Sequence, residues 1–183
     1  MTKEAFEKIL NEKSRDAEES KAIDWEGRKR AWLQDLESFY RQIEDYIAPY
    51  TRSGKMAVRK SNISITEERL GTYEAPAMTI ALDSEKVELC PVGTLLIGAK
   101  GRVDMAGRTG VVKFILTGRE STGVKIPFTV RGRNQAEHPP NVPKTPVKEE
   151  YVWKIATEPP KVRFIELTQE TFFSAFAEVV DAQ

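Results

Sequence analysis

The chain has 183 residues, with 28 basic and 28 acidic side chains, so its formal net charge is zero. Hydrophobic residues make up 40% and charged residues 31%, a balance that excludes wholesale disorder and is typical of a globular protein. No apolar run reaches the roughly 18 residues that a membrane-spanning helix needs, and the charged N-terminus has no secretory signal pattern. We therefore expect one soluble domain over residues 1–183 with no membrane association.

Residues 1–50 are predicted to be helical. Residues 3–21 have a thin apolar stripe that indicates a marginal surface helix, whereas residues 24–47 have the strongest helical periodicity in the chain. Asp24 is suited to cap the second helix, and Pro49 is expected to end it. The apolar face of that helix consists of Trp25, Trp32, Leu36, Phe39, Ile43 and Tyr46, widened by Leu33, Tyr40 and Ile47. This face packs either on a sheet of the same chain or on a second copy, which leaves a homodimer through residues 25–47 open.

Between residues 55 and 130 the apolar pattern changes to a period of two, which indicates β-strands. Successive short runs alternate at Ile63 and Ile65, Met78 and Ile80, Val87 and Leu89, Val103 and Met105, Val112, Phe114 and Leu116, and Val124, Ile126, Phe128 and Val130. Turn residues separate these runs at intervals that are typical of an antiparallel meander.

Residues 131–149 hold four prolines and no apolar periodicity, which predicts a long exposed loop. The spacing of Pro140, Pro143 and Pro146 fits either a solvated linker or a docking arm for an aromatic groove. Residues 150–183 contain two more strand patterns and a C-terminal helix with Thr168 as N-cap. The whole pattern predicts an α+β fold: a largely antiparallel meander of seven or more strands, with two N-terminal helices and one C-terminal helix packed on one face.

Glycine and basic residues recur together over residues 98–119 and raise the question of a phosphate-binding loop. A Walker loop places lysine directly after the second of two glycines that lie five residues apart, but Ala99 follows Gly93 and Gly98. The four-residue glycine loop of RNA-binding KH modules joins two helices, whereas residues 98–101 and 107–110 join predicted strands. We therefore interpret both sites as hairpin turns with glycine at positive φ.

The local excess of basic residues is the one feature that points to an anionic partner, since residues 98–133 hold eight basic and two acidic side chains. In a meander these residues spread over both ends and the outer face of the sheet, whereas duplex binding needs them on one track of phosphates. Asp104 is expected to pair with a neighbouring base, either Arg102 or Lys113. The candidate binding residues are Lys100, Arg102, Arg108, Lys113, Lys125, Arg131 and Arg133.

Cysteine and histidine usage limits the chemistry that the chain can perform. Cys90 is the single cysteine, which excludes an intrachain disulfide and a cysteine-based zinc site and favours a reducing cytoplasm. His138 is the single histidine, and one histidine in a loop supports neither a nucleophile–base arrangement nor a histidine-ligated metal site. The sequence therefore predicts a cytoplasmic protein that is not an enzyme, with no catalytic residues, no metal and no cofactor.

The leading hypothesis is a non-catalytic protein-binding module of the immunity, adaptor or assembly-factor type, with an unidentified protein partner. The amphipathic first helix, the aromatic-rich second helix and the proline-rich loop are the features that suit recognition. The alternative is nucleic-acid or polyanion binding through the basic residues between Lys100 and Arg133.

Overall fold

The computed structural model of the protein describes Glu7 and residues 24–94, 99–123, 150–160 and 162–181. These residues form one seven-stranded antiparallel sheet whose strands lie side by side in chain order, with a long helix before it and a shorter helix after it. The elements are α1 (Trp25–Arg52), β1 (Ala57–Glu67), β2 (Gly71–Leu82), β3 (Glu85–Gly93), β4 (Gly101–Ala106), β5 (Val111–Gly118), β6 (Tyr151–Ala156), β7 (Phe164–Glu166) and α2 (Gln169–Val180).

The α+β class and the antiparallel meander are confirmed, and the described residues contain two helices where three were predicted for the chain. The predicted helix over residues 3–21 lies outside the described residues, apart from Glu7. The predicted strand over residues 124–130 and the proline-rich loop over residues 131–149 also lie outside them. Neither α1 nor α2 combines the length and the apolar character that a helix needs to cross a membrane.

Helix α1 begins with a side-chain cap and extends further than predicted. Oδ1 of Asp24 accepts a hydrogen bond from the backbone N–H of Gly27 at 2.8 Å, as expected of an N-cap. The prediction that Pro49 ends the helix is wrong, because α1 continues to Arg52. Pro49 lies in the exposed last turn, where its missing N–H removes one hydrogen bond, and the N–H of Ser53 still donates to its carbonyl oxygen at 3.2 Å.

Aromatic side chains of both helices meet the sheet at Phe114 in β5. The ring centroid of Phe39 in α1 lies 5.3 Å from that of Phe114, and the ring of Phe172 in α2 lies 6.4 Å away. Phe39 also contacts Trp153 in β6, with ring centroids 4.5 Å apart. These contacts bury most of the apolar face of α1 within its own chain, while Trp25, Leu33 and Tyr46 are half-buried.

The β1–β2 hairpin extends beyond the body of the sheet. Strand β1 pairs with β2 over its whole length, from Ala57 to Glu67, whereas β2 pairs with β3 only from Met78 to Leu82. The half near Leu82 pairs with β3, whereas the half near Glu67 contacts the body of the molecule through side chains, among them the core residues Ile65, Tyr73 and Ala75.

Glu67 attaches the far end of the hairpin to the end of β3. Its carboxylate accepts hydrogen bonds from the hydroxyl of Tyr73 at 2.5 Å and from the backbone N–H of Thr94 at 2.8 Å. Burial and the bond to Glu67 raise the pKa of the Tyr73 hydroxyl. Gly93 has a φ of 141°, and a β-carbon there would lie 2.9 Å from the carboxyl carbon of Glu67. Glycine is required at this point, and the attachment holds β1 as an outer strand.

Candidate functional site

The structure describes four of the seven basic residues that the sequence singles out, and these four do not form one cluster. Lys125, Arg131 and Arg133 lie outside the described residues. The other four are described, and each contacts a group of its own chain.

Arg102 and Lys113 lie on the side of the sheet opposite Phe114. Nε and Nη2 of Arg102 each donate to the carboxylate of Asp104 at 2.6 Å, which confirms one of the two expected pairings of Asp104. Hydrogen bonding to Asp104 raises the pKa of Arg102. Nζ of Lys113 donates instead to Oε1 of Glu158 at 3.1 Å. Both cations therefore have a carboxylate partner beside them.

Arg108 and its neighbour cap the C-terminus of helix α2. Nη2 of Arg108 donates to the carbonyl oxygen of Val180 at 3.0 Å. The N–H of Thr109 donates to the carbonyl of Val179 at 3.0 Å, and its hydroxyl donates to the carbonyl of Glu178 at 2.5 Å. One turn thus satisfies three carbonyl groups that have no partner within a helix, and its cation lies where the helix dipole favours positive charge.

Two glycines of the recurring motif are explained by close packing. Residues 107–110 do form the turn between β4 and β5, but the predicted positive φ is wrong, because neither Gly107 nor Gly110 adopts it. A β-carbon at Gly107 would overlap the carbonyl oxygen of Val179, and one at Gly101 would overlap the ring of Trp32. Contact with the two helices therefore explains the glycines at positions 101 and 107.

Lys100 lines a small pocket of about 270 Å³ beside helix α1. Its Nζ lies 3.5 Å from the centroid of the Tyr151 ring, a cation–π contact. Across the pocket, Nη2 of Arg28 donates to the carbonyl oxygen of Thr94 at 2.7 Å. Burial raises the pKa of Asp35 in the same pocket, and Lys100 offsets part of that effect. Each of these cations thus contacts an uncharged group of the protein, a ring for Lys100 and a carbonyl oxygen for Arg28.

Strand β1 is an open edge of the sheet. It has 11 residues and pairs with β2 on one side, and no described strand lies on its other side. At about 3.4 Å per residue, β1 presents a row of backbone N–H and C=O groups roughly 37 Å long. Such a row is a template for pairing with another strand.

A groove of about 480 Å³ lies between β1 and helix α1. The helix contributes Glu37, Tyr40, Arg41 and Glu44, and the strands contribute Lys60, Ser61, Asn62 and Pro76. Tyr40 is buried at its base, where its hydroxyl donates to the carbonyl of Leu89 at 3.2 Å and burial raises its pKa. Lys60 and Glu44 form an ion pair of 2.8 Å between the two walls. The groove therefore has polar walls and opens beside the β1 edge.

Two arginines near the β1 edge have no carboxylate partner among the described residues. Arg41 is exposed on the α1 wall, and Arg59 is exposed on β1, with its side chain on the opposite face of the strand from that of Lys60. Lys55 precedes β1. Residues 53–66 contain three basic residues, Lys55, Arg59 and Lys60, and no acidic residue. Positive charge without a carboxylate partner therefore lies at the β1 edge.

Sequence reasoning missed this surface because it counted the basic residues of residues 98–133 without asking which carboxylates lie beside them. A usable signal was present, since the first strand of a meander is necessarily an edge strand. Arg59 and Lys60 stand in that first strand with no acidic residue near them in sequence.

The described residues contain no group of three or more His, Cys, Asp and Glu side chains that is placed to hold a metal ion. The buried carboxylate Glu67 is 9% exposed, and both of its oxygens accept hydrogen bonds. Its contacts identify it as a structural anchor of the hairpin.

Comparison of the chain with protein-family models, with curated proteins and with solved structures found no match. The geometry of the β1 edge and the groove is therefore the basis for a functional proposal.

Proposed function

We propose that the protein is a non-catalytic module that binds an extended segment of a protein partner along β1, in the cytoplasm that the single cysteine indicates. The observation that supports this proposal is the open β1 edge of 11 residues beside a groove of about 480 Å³. Strand addition at an exposed edge obtains affinity from main-chain hydrogen bonds and specificity from pockets for alternate side chains. The edge provides the first element, and the groove provides the second.

The location of the groove fits this mode of binding. A strand added to β1 would direct every second side chain toward the side where α1 lies, and there the groove is lined by Arg41, Ser61 and Asn62. The far half of the hairpin is held by Glu67, so β1 is presented as a preformed strand. A preformed site avoids much of the entropy cost of ordering on binding.

Polyanion binding through the described basic residues has less support. Arg102, Lys113 and Arg108 all have partners in their own chain, and releasing them would cost the interactions described above. Duplex binding also needs several free cations on one track.

A pair of proline variants tests strand addition. Backbone N–H groups of successive strand residues point to opposite sides, so of Ser61→Pro and Asn62→Pro one removes a hydrogen bond to β2 and the other removes only an outward N–H. The variant that keeps every hydrogen bond to β2 is identified by thermal unfolding, because its Tm is nearly unchanged. We expect this variant of the tagged full-length chain to lose its partner in nuclease-treated native lysate.

The wild-type protein in complex should show slowed amide exchange over residues 57–67. Retention of the partner by the well-folded proline variant, without slowed exchange in β1, would contradict strand addition. Recovery of nuclease-sensitive material alone would favour the polyanion alternative.

A further inference from the structure

We infer that the segment bound along β1 is acidic, an inference that rests on the proposed function and deepens it. The evidence is the balance of charged groups around the β1 edge. Among the described residues, the cations there without a carboxylate partner are Lys55, Arg59 and Arg41, and the carboxylates without a basic partner are Glu37 on α1 and Glu74 opposite Ser64. The surface that faces an added strand is thus positive.

The acidic groups near the groove do not reverse this balance. Glu44 is neutralised by Lys60 across the groove at 2.8 Å. Glu37 lies one helical turn before Arg41 on the exposed side of α1, and no ion pair joins the two side chains. Carboxylates of an added strand would therefore find two arginines available.

The two arginines lie on different sides of the added strand. Arg41 is on the wall of the groove, and the side chain of Arg59 lies on the face of β1 opposite Lys60, which lines the groove. Because side chains alternate between the faces of a strand, adjacent acidic residues would reach one arginine each. Opposite charges on neighbouring strands are stabilising, and like charges are destabilising. An acidic pair in the bound segment is the arrangement that this edge selects.

Strand β1 of a second copy does not supply these carboxylates. The single acidic residue of β1 is Glu67, which is buried and bound to Tyr73 and Thr94. Pairing two β1 strands would place Arg59 and Lys60 of each copy at an edge without acidic side chains. Basic residues on edge strands are a known guard against such self-pairing. We take the occupant to be a different protein that provides an extended acidic segment.

Site-specific cross-linking in native cells identifies the occupant. In the full chain, a photoreactive residue is introduced into β1 by the substitution Ser64→p-benzoylphenylalanine. Asn62→p-benzoylphenylalanine is a second variant, used if the first disturbs folding. The matched control is Ile165→p-benzoylphenylalanine, an exposed residue of the opposite edge strand β7. We expect cross-links from β1 and not from β7, to a peptide of another protein that carries net negative charge.

Affinity measurements then test the acidic requirement. The probe is the cross-linked peptide made synthetically, beside a version with its acidic residues changed to Asn and Gln. We expect the neutral version to bind about tenfold more weakly by fluorescence anisotropy. Arg59→Glu combined with Arg41→Glu should abolish the preference for the acidic version. Arg30→Glu, on an exposed part of α1 away from the groove, should leave it unchanged.

The outcomes separate the two proposals. Equal affinity for the acidic and the neutral peptide overturns the acidic requirement and leaves strand binding intact. Cross-links to a second copy, to the same chain or to nucleic acid overturn the inference that the occupant is an acidic protein segment. A β1 signal no higher than that of β7 overturns the proposed function itself.

Discussion

The two edges of the sheet differ in how the chain itself covers them. At β7, which has three residues, the N–H of Phe164 donates to the carbonyl of Thr122 at 3.1 Å, and Gly123 forms a bridge with Arg163. At β1, which has 11 residues, no described strand lies on the free side. Proteins usually shorten, cover or charge their strand edges because an open edge promotes aggregation. One edge here is short and covered, and the other is long and guarded only by charge.

Lys154 shows how much the covered edge depends on one side chain. It is 8% exposed, and its Nζ donates to the carbonyl oxygens of Arg119 at 2.6 Å and Ser121 at 2.7 Å. These bonds hold the segment that reaches β7.

Helix α1 shows the same contrast along its own length, because Trp32 packs directly on Gly101 whereas the groove beside Tyr40 is open. The covered edge is thus held by side-chain contacts across it, whereas no described strand pairs with the free side of β1.

A larger side chain at the contact between Gly101 and Trp32 should have the largest effect on the free energy of unfolding. Gly101→Ala places a methyl group into the ring of Trp32, so we expect the free energy of unfolding to fall by about 2–3 kcal/mol in chemical denaturation. Gly110→Ala is the control, because a β-carbon there meets no atom within 4 Å and should change stability by less than about 0.5 kcal/mol. Equal effects of the two variants would contradict the close contact at Gly101.

Removing the anchor of the covered edge should have the next largest effect. Lys154→Met loses two charge-assisted hydrogen bonds, and we expect a loss of about 2 kcal/mol in stability together with faster amide exchange at residues 121–123. Lys86→Met removes an exposed ion pair with Glu88 and should cost less than about 0.5 kcal/mol. Unchanged exchange near β7 in the Lys154 variant would show that this lysine does not hold the segment.

Loosening the far half of the hairpin should have a smaller effect. Tyr73→Phe deprives the buried Glu67 carboxylate of a hydrogen bond of 2.5 Å, so we expect a loss of about 1–2 kcal/mol. Amide exchange should accelerate over the half of the hairpin beyond the body of the sheet. Thr66→Val removes only the exposed hydroxyl contact with Thr72 and is the matched control. If both variants melt alike, the Glu67 network is not the attachment of the hairpin.

The smallest effect should come from Asp35 in the pocket beside Trp32. Burial raises its pKa, so the folded state binds this proton more tightly than the unfolded chain does. Stability from this group is therefore lost as the pH rises from its ordinary value of 3.8 through the raised value in the folded protein. Asp35→Asn should flatten the fall in unfolding free energy over that interval, whereas the exposed Asp45→Asn should not. A parallel pH profile for both variants would contradict the burial of Asp35.

The elements of the fold were largely predictable because their signals are local. The side chains of Val103 and Met105 alternate with polar neighbours, and both are fully buried in β4. Thr168 caps α2 as its position suggested, with its hydroxyl accepting the N–H of Thr171. The end of α1 was predicted wrongly because a proline in the last exposed turn costs little more than one hydrogen bond.

The candidate site was less predictable because charge is neutralised by contacts between distant parts of the chain. Arg108 donates a hydrogen bond to the C-terminus of α2, and Lys113 donates one to Glu158. In the sequence, both are visible only as basic residues near glycines. Arg59 and Arg41 drew no attention in the sequence. Their position beside an open edge is visible once the strand order places β1 at an edge and α1 beside it.

The sequence by itself determined the secondary structure classes, the faces of the strands and the antiparallel order, because periodicity and turn residues act over a few positions. The tertiary structure alone decided which glycines are needed for packing, which cations are paired and which sheet edge is open. Those properties depend on groups as far apart in sequence as Thr109 and Glu178, or Trp32 and Gly101. Local sequence patterns carry no information on contacts between residues so far apart in sequence, because only the packing of the folded chain brings those residues together.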